Sequence, residues 1–323
     1  MPAGTSIPPG VVLGIPPTRS VSKGLPRGVR ARWRVCGLAA LGQRARRGRA
    51  GVSILRLQAC NQPSDSIMNL INSTMETSWA ADKRLIVLVC TYNEKANLAE
   101  LFQRIDQAIP NVPILVVDDN SPDGTSDWVA QESKSRPHTY LIKRSGKLGL
   151  GTAIRDGMQY AIEHGYEWVL NLDADLSHDP SAMLKLLSKS EDNDLVIGSR
   201  YVEGGGLEGC SWKRILVSRC ANAYAKFVVG WRVNDCSSAY RLYRVSELTK
   251  LNWQQIQGKG YGFLEEILWH LIQQTKRWTE VGIVYTERKK GDSKISIKEA
   301  LSTIASLHRV ASLKRTTVNK PSK

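Results

Sequence analysis

Acidic residues are missing from the first sixty positions of this 323-residue chain, where eleven Lys and Arg stand without one Asp or Glu. The whole chain carries +15, so the remaining 263 residues carry only +4. The basic balance belongs to the leading segment and gives no reason to expect nucleic acid on the folded part. Paired cysteines are missing too: the six stand singly at 36, 60, 90, 210, 220 and 236, and the five histidines are scattered, so no zinc site is signalled. Single thiols in apolar contexts, such as Cys90 and Cys220, fit a reducing, cytoplasmic compartment. No apolar run approaches the roughly 18 residues that cross a bilayer, which fits a protein in solution or lying on a membrane surface. Internal repeats are absent. At 42% hydrophobic residues the chain has enough apolar material for a sizeable core.

Residues 1–80 read as a disordered basic extension. Pro-Pro pairs at 8–9 and 16–17, Gly-Arg runs and a lack of periodicity do not supply a core. The segment reads either as an Arg-rich targeting peptide or as an upstream extension of the reading frame, with initiation at Met68 or Met75. A catalytic domain is expected over 84–314 and a flexible tail over 315–323. Leu85–Cys90, Pro113–Asp118, Thr139–Lys143, Glu167–Leu172 and Asp194–Gly198 read as buried strands. Between them Glu94–Ile109, Thr125–Ser133, Thr152–His164 and Ala182–Lys189 read as helices. Strands and helices alternating at this spacing predict an α/β fold with a Rossmann-like, mostly parallel sheet flanked by helices. Further on, Lys213–Val229 and Phe263–Gln274 are expected helices, and Ala239–Tyr243 and Glu280–Glu287 expected strands. Ile297–Lys314 is an expected amphipathic helix with Ile297, Leu301, Ile304 and His308 on one face.

The chemistry centres on Glu167–Pro180, EWVLNLDADLSHDP. Asp173 and Asp175 follow a buried strand directly, and open α/β sheets bind ligands beyond the carboxyl ends of their strands. Two carboxylates there repel unless a cation sits between them. Mg²⁺ or Mn²⁺, with a diphosphate as further ligand, suits a hard oxygen site. Two solvated acids in a turn are the plain alternative. A sharper one is the first motif of the haloacid-dehalogenase phosphatases, but there the Asp-x-Asp strand comes first, and here Asp118-Asp119 precede it. The strand ending in Cys90-Thr91-Tyr92-Asn93-Glu94 reaches the same edge. Tyr92 suits stacking on a base and Glu94 a hydrogen bond to ring or ribose; an N-cap pair for the next helix explains them as well. Three neighbouring strands thus deliver acids to one edge of the sheet.

The ordered run TYNE, VVDDNSPDGT, KLGLGTA, LDADLSHDP, IGSRYVEGG, WKRILVSRCAN, SSAYRLYR, GYGF and GDSK resembles the dolichol-phosphate (polyprenol-phosphate) mannosyltransferases over about residues 84–310. These are inverting family-2 glycosyltransferases of the nucleotide-sugar A-type fold. The resemblance implies that Cys90, Tyr92, Glu94, Val117 and Asp119 line a guanosine pocket. It implies that Asp173, Ala174 and Asp175 hold the diphosphate and metal, with Asp175 the direct ligand and Ser177 where some members have Gln. By the same likeness Arg200 meets the phosphates, Arg214 holds the lipid phosphate, and Arg288 and Lys294 close over both substrates. The implied partners are GDP-mannose, dolichyl or polyprenyl phosphate and the cytoplasmic face of a membrane, with or without a small anchoring subunit. Departures are Cys90 for Pro, Ser177 for Gln, Cys210 for an aromatic and Asp292 for Glu in GDSK.

A lipid phosphate is already an anion near neutral pH, so such a transfer needs no strong general base, and His178 reads as structural or as a support to the site. A UDP-glucose-dependent lipid-phosphate transferase, a polysaccharide-type transferase and a nucleotide-sugar-binding subunit without catalysis share the fold. Polymerising enzymes need a QxxRW acceptor motif; the look-alike QTKRW at Gln274–Trp278 sits at a helix–strand junction.

Overall fold

The apolar run at Leu85 sits in the middle of the sheet, because nothing but apolar side chains can face helices on both sides. The structure, a computed structural model, describes residues 12–13, 84–258, 260, 262–287 and 304–312. In chain order the elements are β1 (Val12–Leu13), β2 (Leu85–Thr91), α1 (Lys95–Ala108), β3 (Ile114–Asp118), α2 (Thr125–Glu132), β4 (Thr139–Lys143), α3 (Leu150–Glu163) and β5 (Trp168–Asp173). A 3₁₀ turn at Pro180–Ala182 leads into α4 (Met183–Leu187). There follow β6 (Leu195–Ser199), β7 (Gly206–Glu208), α5 (Trp212–Val229), β8 (Arg241–Arg244), α6 (Val245–Leu248), α7 (Gly262–Gln274), β9 (Trp278–Gly282) and β10 (Val284–Thr286). A last helix, α8, covers residues 304–312.

The main sheet runs β1-β4-β3-β2-β5-β8-β6-β9, and β10 pairs with β7 in a small second sheet. β4, β3, β2 and β5 are mutually parallel, as are β6 and β9; β8 runs antiparallel to both neighbours. Alternation sorts the side chains into two cores. Ile86, Leu88, Leu115 and Val117 face α3 and α7; Val87, Val89, Ile114 and Val116 face α1 and α4. The chain winds outward from β2 through β3 to β4, then returns to place β5 on the other side of β2. That reversal is a topological switch point, and it opens a crevice at the carboxyl ends of β2 and β5.

The second half departs from the sequence reading. The expected strand Glu280–Glu287 is two strands, β9 and β10, broken at Ile283. A Cβ at Gly282 would lie 2.3 Å from the Glu203 carbonyl, so only glycine lets the chain pass this close and cross from one sheet to the other. The extension is not wholly without regular structure: Val12 and Leu13 pair antiparallel with Ile142 and Leu141 of β4, whose outer side pairs with no other described strand. The rest of the leading 80 residues and of the 315–323 tail lies outside the described residues. α8 buries Leu307 and Val310, whereas Ile304 is 41% exposed and His308 is also exposed. Its packed face is therefore one position round from Ile304 and His308, and Ile297 and Leu301 lie outside the described residues. Arg309 of this helix reaches the buried Glu266 on α7 at 3.1 Å.

Candidate active site

Parallel pairing sets the crevice residue by residue. Cys90 lies between Val117 on β3 and Asp173 on β5, and Thr91 lies opposite Asp118. Val117 is fully buried. Burial raises the Cys90 thiol well above its ordinary range, with Asp173 and Asp119 adding to the effect, so it stays protonated and uncharged. Asp118 is spoken for: Thr91 Oγ1, Ser121 N and Oγ and Ser126 Oγ all donate to it at 2.5–2.9 Å. It folds the Asn120–Gly124 turn and has no oxygen to spare. Asp119 is likewise buried and pairs with Arg144, while its other oxygen accepts from Gly149 N at 2.7 Å. Gly149 sits at φ 101°, a conformation side chains resist, and so brings its N–H onto Asp119. Asp119 thus clamps the Gly-rich loop against the crevice. Arg144, which also bonds Thr152 Oγ1 at 2.7 Å and Asp156 at 3.0 Å, is the partner sequence reasoning missed. It follows the carboxyl end of β4, so the rule that selected Asp118 and Asp173 would have found it.

Tyr92 and Glu94 stand at the entrance to α1. Lys147, from the same Gly-rich loop, places its ammonium 4.0 Å from the centre of the Tyr92 ring. Asn97 donates to Glu94 Oε2 at 2.8 Å, and Glu94 makes no side-chain cap. Glu94 is thus the N-cap residue of α1 by position, while its carboxylate caps no N–H of the first turn and is oriented from behind by Asn97.

Across the crevice, Asp173 ends β5 and Asp175 lies in the following turn, which passes through Leu176 at φ 61°. Ser177 N donates back to Asp175 Oδ1 at 3.1 Å. The Ser177 hydroxyl is buried and has no hydrogen-bond partner among the described residues. His178 is buried; burial pushes its pKa down to about 4, with Arg200 assisting and Asp175 and Asp235 opposing. A neutral imidazole is what the geometry needs, since Asp173 N–H points at Nδ1 at 3.4 Å. The 3.7 Å approach of Nδ1 to the Asp173 carboxylate is then no ion pair at neutral pH. His178 positions Asp173, in line with its reading as a supporting residue.

Two arginines approach from the other half of the chain. Arg200 is held by Asp235 through Nε and Nη2, both at 2.7 Å, and by Ser237 Oγ at 2.7 Å. Burial alone would raise the Asp235 carboxyl and weaken the Arg200 charge; their mutual bonds outweigh it, lowering the first and strengthening the second. Arg214, in the first turns of α5, donates to Glu287 at 2.6 Å and to Tyr285 Oη at 3.0 Å. Tyr285 joins these parts: its ring centre lies 5.7 Å from each guanidinium and 5.9 Å from the His178 ring. The split of the expected strand puts Tyr285 there, and no sequence period announces it. Arg288 and Lys294 lie outside the described residues. QTKRW is at the amino-terminal end of β9, opposite Leu195, where Arg277 holds the Glu191 and Asp192 carbonyls, at the wrong edge for an acceptor motif.

The profile of glycosyl transferase family 2 matches residues 86–251, which span β2 to the end of α6. A polyprenol monophosphomannose synthase of Mycolicibacterium smegmatis is 39% identical over 230 residues, 69% of this chain and 86% of the relative. This chain belongs to glycosyl transferase family 2. An undecaprenyl-phosphate mannosyltransferase of Micrococcus luteus is 36% identical over 213 residues, 66% of this chain and 88% of that one. Among solved structures, glucosyl-3-phosphoglycerate synthase of Mycobacterium tuberculosis, crystallised with Mn²⁺, UDP and glucosyl-3-phosphoglycerate, matches with a TM-score of 0.55 at 18% identity, over 79% of this chain and 87% of that one. The same enzyme has been crystallised with Mg²⁺ and UDP. At that identity the likeness establishes the glycosyltransferase A-type fold. The mostly parallel sheet expected from the sequence is thereby found, and the phosphatase alternative falls.

In this family-2 glycosyltransferase the donor set at Asp173 and Asp175 suits a hard cation. Two partly exposed carboxylates and the unpartnered Ser177 hydroxyl are all oxygen. Among the described residues no group of three His, Cys, Asp or Glu side chains forms a metal cage. The protein alone offers an incomplete shell, of the kind a diphosphate completes.

Proposed function

We propose that this glycosyltransferase moves mannose from GDP-mannose to a polyprenyl or dolichyl phosphate by a single inverting displacement, giving the β-linked lipid phosphate. The observation that carries the reading is the 39% identity to a polyprenol monophosphomannose synthase over 86% of its length. The crevice supports it. Tyr92, Glu94 and the Cys90 and Val117 main chain form the guanosine side, and Asp119 backs it by holding Arg144 and the Gly149 loop. Asp173, Ala174 and Asp175 form the diphosphate side. Mg²⁺ or Mn²⁺ would be held by Asp173 and Asp175, with the Ser177 hydroxyl as a neutral donor; when bound, it offsets charge on the departing diphosphate. Arg200, held rigid by Asp235, keeps Nη1 outside its bidentate pair for a phosphate. Arg214 serves the acceptor phosphate, which arrives ionised and needs only orientation.

Such an acceptor lives in a membrane, and the protein meets it at the surface. Among the described residues no helix is long and apolar enough to cross a membrane. α5 buries only Asn222, Ala225 and Val229 and turns Trp212 (69% exposed), Leu216 (53%), Val217 (68%) and Phe227 (87%) outward. With Lys213, Arg219 and Lys226 beside that ridge, the helix suits the interface of an anionic bilayer on the cytoplasmic side. The decisive assay combines purified protein, polyprenyl phosphate, Mg²⁺ or Mn²⁺ and radiolabelled donor, followed by lipid extraction. Label entering the lipid from GDP-mannose supports the reading, and label entering only from UDP-glucose replaces it. Flotation with anionic vesicles at low salt checks the surface; protein that never floats removes the membrane part.

A further inference from the structure

α8 buries Leu307 and Val310 in the core that also holds Leu264, Ile267 and Leu268 of α7. Its charged contact with α7 lies as deep. Arg309 Nη2 donates to Glu266 Oε2 at 3.1 Å, and Glu266 is fully buried. Among the described residues Arg309 is the one ion-pair partner of Glu266. Arg309 Nη1 also donates to Gln257 Oε1 at 3.3 Å, which ties the same side chain to the stretch entering α7.

The remaining bonds of Glu266 go to that stretch. Its Oε2 accepts from Gln257 N at 3.0 Å and from Gly258 N. Gly258 leaves no room for a side chain: a Cβ there would lie 2.7 Å from the Gly262 carbonyl and 2.8 Å from Glu266 Oε2. The same stretch abuts the donor side of the crevice. A Cβ on Gly151 would lie 2.6 Å from Phe263 Cβ and 3.3 Å from the Gly260 carbonyl, so the first turn of α3 and the start of α7 meet with no side chain of α3 between them. Two residues earlier, Gly149 gives its N–H to Asp119 at 2.7 Å and its carbonyl to Arg144 at 3.3 Å. Contacts thus run unbroken from Arg309 to the Gly-rich loop. Burial pushes the Glu266 carboxyl above its ordinary range, and the Gly258 N–H and Arg309 pull it back. Without Arg309 the buried carboxylate is uncompensated; it takes up a proton or admits water, and its hold on the two N–H groups loosens.

We propose that Arg309 is a positioning residue for the nucleotide-sugar donor: through Glu266 it fixes Gln257, Gly258 and Gly260 against the first turn of α3, and so sets the Gly149 loop beside the crevice. The proposal rests on the donor crevice given under the proposed function. It makes α8 a brace for donor binding in addition to a cover for α7.

The test uses the full chain and GDP, titrated calorimetrically. Arg309→Gln should weaken GDP about tenfold, as loss of one charge-assisted contact does. The KM for GDP-mannose should rise alike while kcat at saturating donor holds, and Arg309→Lys should restore most of the loss. Tyr224→Phe removes the 2.7 Å bond between Tyr224 Oη and His308 Nε2 on the other side of α8 and should leave GDP affinity unchanged. Melting curves set a temperature at which each variant is folded. Unchanged GDP affinity in folded Arg309→Gln overturns the proposal. An equal loss in Tyr224→Phe overturns it too, since α8 would then act through general stability. Wild type alone gives a second measurement, because coupling is reciprocal. GDP should slow hydrogen exchange in residues 256–263 and 304–312 as well as in 146–153; protection confined to 146–153 overturns the proposal. If wild type binds UDP in place of GDP and the same pattern appears with UDP, only the mannose reading falls. If it binds neither nucleotide, both fall.

Discussion

At the scale of single residues the site separates groups with a free function from groups already committed. Asp118 and Asp119 look alike in sequence, yet the first is filled by hydroxyls and an N–H and the second holds Arg144 and the Gly149 loop. Asp175 differs: its turn presents a carboxylate beside that of Asp173, with an unpartnered hydroxyl following. Asp175→Asn keeps the shape and removes one charge. Turnover should fall by about 10²–10³, the usual loss for one electrostatic stabiliser, with circular dichroism unchanged. Ser177→Ala should cost less, because water replaces a neutral oxygen. Metal titration of sugar transfer compares the variants with wild type; normal turnover and metal dependence in Asp175→Asn would remove the site assigned here.

Among the elements, α5 and α7 carry opposite kinds of information. α5 is exposed over most of its length, and its two flanks carry different arginines. Arg214→Ala should raise the apparent KM for polyprenyl phosphate about tenfold while GDP affinity holds, since a lost charged contact is of that size. Equal loss of both would point instead to collapse of the Tyr285–Glu287 support. α7 is buried, and Glu265 on it has its pKa pushed up to about 8 by burial, against the pull of Arg241. A raised carboxyl is neutral in the fold while the unfolded chain ionises from about pH 4.5. Its stabilising contribution is full below that pH and is lost progressively as pH rises to about 8. Glu265→Gln mimics the neutral form, so its melting temperature should match wild type at pH 4–5 and exceed it at pH 8. A constant difference across that range would show that Glu265 is ionised in the fold.

For the whole molecule, the leading segment tests how much the catalytic domain needs outside itself. Its described contact with the sheet is the two-residue pairing of Val12 and Leu13 on β4. Deleting residues 1–80 should therefore leave turnover within about twofold and shift the melting temperature by only a few degrees, as loss of roughly 1 kcal/mol does. An insoluble or inactive remainder would show that covering the β4 edge matters more than two residue pairs suggest. The first half of the fold was legible because buried parallel strands and amphipathic helices write their periods into adjacent residues. Leu85–Thr91, Ile114–Asp118 and Trp168–Asp173 could be read directly, and with them the acids at their carboxyl ends. Strand direction has no such period, so the antiparallel β8 was not legible, nor was the break at Gly282 that sends Tyr285 to the site. Asp235 gave no local sign, because its role is defined by Arg200, 35 residues away in sequence. Sequence by itself determined the α/β class, the crevice acids and the family. Tertiary structure alone decided which acids are already occupied, which arginine faces which flank of α5, and how Glu280 holds Asn234 and Asp235, because these depend on contacts between residues that no local pattern links.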